Sequence, residues 1–324
     1  MPCLRLHLKK FALVLLSLFA AVSCGTGNPR RYQAEFFLLF DTHTTFIAYT
    51  QTESEFELYL DIIHSTMENL HMQFDIYNNY EGISNLKTIN DNAGLSPVTF
   101  SREIIDLLLL GKECYVSTNG TVNIALGSVL QLWRDARDSD TVPSIAQLEE
   151  AFQNTDINNI IIDEQLNTVF LTNPGMSLDA GAIAKGFAME RAVRLAAEAG
   201  LVSGLINSGG DVITVGSPLD GRDYWNVGIQ DPFNLDAVFD TITVNGTAIA
   251  SSGDYRRQGH IIDPATLFPA NRFAGVSVIH PNAQIAEMLS TALFILPFEE
   301  GLKLAEDRDA QVIGIYHDGS SETY

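Results

Sequence analysis

The chain has 324 residues, 46% hydrophobic and 18% charged, enough apolar material for one large or two small domains and too few charges for disorder. A formal net charge of −21 sets it against nucleic acid and anionic lipid surfaces. Any anion it binds must therefore be held locally, by backbone amides, a lysine or a metal ion.

Arg5, Lys9 and Lys10 precede an apolar run from Phe11 to Val22. That run is short for a bilayer span and has the proportions of a signal peptide. Ala21-Val22-Ser23-Cys24 resembles a bacterial lipobox, which makes Cys24 the lipidated first mature residue; an ordinary secretory signal cut nearby is the alternative. The expected organisation is a lipoprotein signal peptide over 1–23, a tether over 24–34 and one domain over 35–324. That predicts an exported protein held by its lipid on the periplasmic face of a bacterial membrane. Cys3 leaves with the leader and Cys24 carries lipid, so Cys114 stands alone and no intrachain disulfide is expected. Lying after an apolar helix, Cys114 reads as a core residue.

"AEFFLLFDTHTTFIAYT" predicts two strands around a turn at Asp41–Thr44. In "EFELYLDIIHSTMENLHMQFDIY", Leu58, Ile62, Ile63, Met67 and Leu70 recur at helical spacing. The turn-rich "NNYEGISNLKTINDNAG" links it to "SREIIDLLLLGKECYVSTNG", a helix with Ser101 as N-cap and Glu103 in its first turn. Next come the apolar "TVNIALGSVLQLWRDAR", a short helix at "SIAQLEEAFQ" and a hairpin-like "NIIIDEQLNTVFLTNPGMSLD". A helix from the "GAIAKG" stretch to Gly200 leads into strands at "GLINSGGDVITVGS", "YWNVGIQDP", "FDTITVNGTAIASSG", "HIIDP" and "FAGVSVIHP". Helices at "AQIAEMLSTALFIL" and "EEGLKLAED", a strand at "AQVIGIY" and a frayed tail, "HDGSSETY", finish the chain. With no regular βαβ alternation, the class is α+β, with mixed or antiparallel sheets flanked by helices.

Four stretches could carry chemistry. "SLDAGAIAKGF" sets Asp179, small residues and Lys185 at a helix mouth, where backbone amides favour anions; a plain strand-to-helix junction is the structural alternative. "INSGGDV" is a tight turn whose Asp211 either orders the turn or serves a ligand. "ASSGDYRRQGHIIDP" gathers Ser251, Ser252, Asp254, His260 and Asp263, company that suits proton transfer. In "IAEMLSTALF", Glu287 and Thr291 stand four apart on one helix face and offer oxygens to a hard cation, or to solvent.

As an ordered series, "LDAGAIAKGFAMERA", "NSGGDV", "SSGDYRR…HIIDP" and "AEMLSTALF" resemble the ApbE family, the FAD:protein FMN transferases, from about residue 35 onward. The resemblance implies an ApbE-like fold with an FAD cleft between lobes and Mg²⁺ at the FAD pyrophosphate. It also implies transfer of FMN to a threonine or serine hydroxyl of a target protein, with release of AMP. The acceptor expected from the family is a redox-pump or electron-transfer subunit. Carried over residue by residue, His260 is the general base and Ile261 and Ile262 line the flavin site. Asp179 and Lys185 contact FAD, Asp211 and Asp254 count among the cofactor-binding acids, and Tyr77 stacks on the isoalloxazine. Thr121, Val122 and Asn123 lie beside the adenosine. The metal falls to the Ala182 carbonyl, Glu287, Thr291 and neighbouring Ser290. This chain departs from the family at Glu287, usually Asp, and at Asn123 and Ala125, usually Asp and Thr. "YEGISNLK" is likewise a degraded form of a family loop. Two alternatives keep the cleft: an Mg²⁺-dependent FAD pyrophosphatase giving FMN and AMP, and a non-catalytic FAD-binding lipoprotein.

Overall fold

The computed structural model describes residues 27–255 and 259–324, so the leader and Cys24 lie outside the described residues. Strands β1 (Arg30–Leu39) and β2 (Thr42–Thr50) pair antiparallel. Their turn is tighter and earlier than the predicted Asp41–Thr44, resting on Phe40 and Asp41, both with left-handed φ, 52° and 55°. Helix α1 (Glu53–Phe74) opens with a full capping box between Thr52 and Glu55, which satisfies amides that a helix start leaves open. It buries Phe56, Tyr59, Ile63, Met67, Leu70 and Phe74, each worth about 1.5–3 kcal/mol when fully buried. Leu58, placed on that face by its spacing, is instead exposed, because the true seam starts at Phe56.

A smaller unit follows: α2 (Leu86–Asp91), β3 (Val98–Thr99), α3 (Arg102–Ser117), α4 (Gly127–Asp138), α5 (Ile145–Phe152), β4 (Ile160–Asp163) and β5 (Thr168–Leu171). Ser101 caps α3 as predicted, and Cys114 is buried in the core. The three strands form a sheet in the order β3-β5-β4. Helix α4 starts against the segment that follows β5, and a Cβ on Gly127 would come within 2.4 Å of the Ser177 carbonyl oxygen. Only glycine permits that crossing, which seats the 177–183 loop beside α4.

The remainder comprises α6 (Ala184–Glu198), β6 (Gly204–Ser208), β7 (Asp211–Val215), β8 (Trp225–Gln230), β9 (Val238–Val244), β10 (Ala248–Gly253), β11 (Gly275–His280), α7 (Ala283–Ile295), α8 (Phe298–Glu306), β12 (Gln311–Ile315) and β13 (Ser321–Thr323). The main sheet runs β1-β2-β6-β7-β10-β11-β12-β13, antiparallel throughout. Strict alternation sorts its two faces. Ile213, Ala248, Val278 and Val312 face a core shared with α1, α6 and α7. Val212, Ile249, Ile279 and Ile313 face the β8–β9 ribbon and its Trp225, Val227 and Ile229.

Two expectations fail. "HIIDP" is no strand: only Ile262 makes a bridge, to Pro269, and Asp263 bends the chain by accepting from the Leu267 amide at 2.7 Å and, on its side chain, from Ala265. Proline at 264 lacks the amide a ladder needs. Nor does the tail fray. It forms β13 and pairs with β12, and Tyr324 exchanges both backbone bonds with Val312.

Candidate functional site

Helices α6 and α7 meet closely and cap each other. A Cβ on Gly186 would sit 2.6 Å from the Ala283 carbonyl oxygen, so the contact requires glycine. No side chain of its own caps the start of α6. Instead Glu287 of α7 accepts from the Gly186 amide at 2.8 Å, and Glu190 of α6 accepts from the Ala283 amide at 2.8 Å. Aspartate would fall about one bond short of that reach, so the departure at Glu287 acquires a structural task. Burial pushes the Glu287 carboxyl well above its ordinary value; Lys185 pulls it down, and Asp211 adds to the rise.

Lys185, in the first turn of α6, pairs with Asp211 at 2.6 Å. Asp211 also accepts from the Ser251 amide at 2.9 Å, so both of its oxygens are engaged and the residue is buried. Asp211 lines the cleft, where it orders Lys185 and strand β10. Ser290 lines the cleft as well, 1% exposed, and its hydroxyl braces the wall by bonding both the Glu287 carbonyl and Ser252. Ala182, Glu287 and Thr291 do line one cleft together with Lys185.

The opposite wall comes from loops and α4. Asp75, buried at the end of α1, accepts from the Tyr77 and Asn78 amides, from Asn78 Nδ2 and from the Tyr80 hydroxyl. Burial alone would raise its pKa, yet those bonds reverse the effect and hold it below the usual carboxylate value. The loop so built presents Tyr77, 53% exposed, to the cleft. Arg134 of α4 lies over the Tyr77 ring at 5.5 Å and pairs with Asp179 at 2.7 Å. Asp179 in turn accepts from the Gly181 amide, which shapes the turn into α6.

Thr121, Val122 and Asn123 also border the cleft. Val122 is 1% exposed, and its side chain packs into the core at the edge of the cleft. The Asn123 side chain donates to the Thr155 carbonyl at 3.0 Å and accepts from the Ala125 amide at 2.9 Å. A carboxylate cannot make the first bond, so asparagine here staples its loop, and buried Ala125 has no place for a hydroxyl. His260 and Ile261 line the cleft with Ile262, which is anchored among Leu126, Val129, Trp133 and Leu148. Trp133 and Arg137 hold this segment by donating to the carbonyls of Leu267 and Gly259. Asp254 is not among the cleft-lining residues; its Oδ1 is buried without a hydrogen bond among the described residues, 3.6 Å from His260 Nδ1. That places it beside the histidine.

The cleft measures about 550 Å³. Asp75, Trp133, Arg134 and Arg137 were not singled out in the sequence; only Asp75, in the "FDIY" run before an asparagine-rich turn, carried a local signal. Buried or half-buried oxygens at Ala182, Glu287 and Thr291, with a carboxyl disfavoured by burial, fit a hard divalent cation, which would relieve that cost. Among the described residues no cluster of three or more His, Cys, Asp or Glu forms a metal cage, so hydroxyl and carbonyl oxygens would have to complete the set.

The family model of the ApbE family matches residues 40–315. A Klebsiella pneumoniae protein named FAD:protein FMN transferase is 33% identical over 70% of this chain and 74% of its own length. A Treponema pallidum protein of the same name is 32% identical over 69% of this chain and 68% of its own. Among solved structures, the ApbE protein of Thermotoga maritima superposes with a TM-score of 0.81 at 27% identity, over 90% of this chain and 96% of that one. The flavin transferase ApbE of Vibrio cholerae, at 23% identity and a TM-score of 0.76, shares the fold. This chain belongs to the ApbE family.

Proposed function

We propose that this chain is a flavin transferase that moves FMN from FAD to a threonine or serine hydroxyl of a target protein, with Mg²⁺ as its metal, and releases AMP. The observation that carries the reading is convergence. Segments around Tyr77, Asn123, Lys185, His260 and Thr291, far apart in sequence, border one cleft, and relatives matched over two thirds of their length bear that activity as their name.

In this reading the acceptor oxygen forms a bond to the FMN phosphorus while the bond from that phosphorus to the bridging oxygen breaks, and the oxygen leaves with AMP. His260 takes the hydroxyl proton on a ring nitrogen, and the Asp254 carboxylate 3.6 Å away steadies the resulting cation without a hydrogen bond. Lys185, kept in place by Asp211, faces the leaving phosphate. The metal, held by Ala182, Glu287 and Thr291, would supply charge neutralisation at the diphosphate. Export and a lipid anchor at Cys24 complete the proposal, and put the acceptor on or near the same membrane.

The test mixes purified protein, FAD, Mg²⁺ and a candidate acceptor. Covalent flavin fluorescence on a denaturing gel, with AMP released in equal amount, supports transfer. Free FMN with AMP indicates pyrophosphatase activity, and unchanged FAD indicates binding alone; either outcome overturns the proposal.

A further inference from the structure

Arg134 is a cation in the wall of a cleft suited to a diphosphate, yet its contacts point elsewhere. Nη1 pairs with Asp179 at 2.7 Å, and Nη2 donates to Gln131 at 2.9 Å. Nε is buried and has no hydrogen-bond partner among the described residues. The side chain is 13% exposed, and its carbon centre lies 5.5 Å from the centroid of the Tyr77 ring. Its charge is thus spent on Asp179 and its guanidinium carbon lies over an aromatic ring, while one donor is left unsatisfied in the interior. A buried donor without a partner carries a cost that a merely decorative surface arginine would not bear.

Three chain segments meet at this residue. Tyr77 follows α1, Asp179 precedes α6, and Arg134 lies on α4. Asp75 fixes the backbone at Tyr77, but a backbone bond does not choose the ring's tilt. The guanidinium bears on that tilt, because a cation within about 6 Å of a ring centroid favours the position over its face.

We propose that Arg134 is a positioning residue for the flavin. Clamped by Asp179, it orients the Tyr77 ring as a flat platform for the isoalloxazine, and it acts on FAD through Tyr77 alone. The proposal rests on the flavin-transfer reading and deepens it by naming what presets the stacking surface.

The test is a titration of FAD into the full-length protein, following quenching of flavin fluorescence on stacking. Arg134→Gln removes the cation, leaves an amide that can still donate toward Asp179, and leaves Asp179 itself unchanged. The variant is expected to weaken FAD about tenfold and to reduce quenching at saturation. Arg134→Lys, which retains a cation, should recover part of both. In a Tyr77→Ala background the Arg134→Gln change should have no further effect. Unchanged affinity and quenching overturn the proposal, as does an equal loss in the Tyr77→Ala background, which would mean that Arg134 touches FAD itself. Failure of the underlying reading looks different: the unaltered protein would neither bind FAD nor quench it, and the inference would fall with it.

Discussion

The two walls of the cleft are built on opposite plans. On the α6–α7 wall, Asp211, Glu287 and Ser290 are buried and joined to their neighbours by contacts of 2.6–2.9 Å. On the loop wall Tyr77 is half exposed, and His260 stands 3.6 Å from a carboxylate oxygen without a hydrogen bond among the described residues. One wall is finished before any ligand arrives. The other leaves His260 and Asp254 beyond hydrogen-bond distance, a geometry common in sites before substrate binds. In the proposed reading the difference separates the tasks: the helical wall holds charge, and the loop wall carries the proton transfer and the flavin platform.

If that division is right, changes at His260, the proton-transfer group of the loop wall, should strike rate before binding. His260→Ala is expected to lower transfer by about 10²–10⁴-fold, with FAD affinity changed only a few-fold. Gel fluorescence gives the rate and equilibrium titration the affinity; an equal loss in both would erase the distinction. A change on the helical wall should do the reverse. Thr291→Ala should raise the Mg²⁺ concentration needed for half-maximal activity by about tenfold or more, read from a metal titration at saturating FAD.

Asp75→Asn sharpens the contrast by loosening the loop wall from behind. Asparagine replaces a four-fold acceptor with a weaker one, and a loss of about 1–3 kcal/mol in thermal or denaturant unfolding is expected. The sign with pH follows from the depressed value of Asp75 in the folded state. Its stabilisation is present above the unfolded carboxylate range and is lost as pH falls through the folded value, so the variant should show a shallower acid limb. The smallest effect is expected at Cys114, which belongs to neither wall. Burial pushes its thiol up to about 12, so thiol reagents should leave the native protein unlabelled near neutral pH and react after denaturation.

The helical wall was also the more legible one. Glu287 and Thr291 share a face by spacing alone, and "NSGGDV" announced a turn whose two glycines take φ of 63° and 102°. The cap at Ser101 was written locally as well. The loop wall was not. Arg134 meets Asp179 across 45 positions and Arg137 meets the Gly259 carbonyl across 122, and no periodicity encodes either contact. The bonds that Asn123, Asp211 and Ser290 make were illegible for the same reason. Each is a polar residue in a motif, and only the fold reveals that its bonds are already spent on the protein's own backbone and neighbours.

The central claim is that a strongly acidic chain holds a dianionic diphosphate because the helical wall seats a divalent cation. Calorimetric titration of FAD into chelator-treated protein, with and without added Mg²⁺, tests it most directly. The account predicts binding that is strong with the ion and at least tenfold weaker without it; equal affinity in chelator would contradict it.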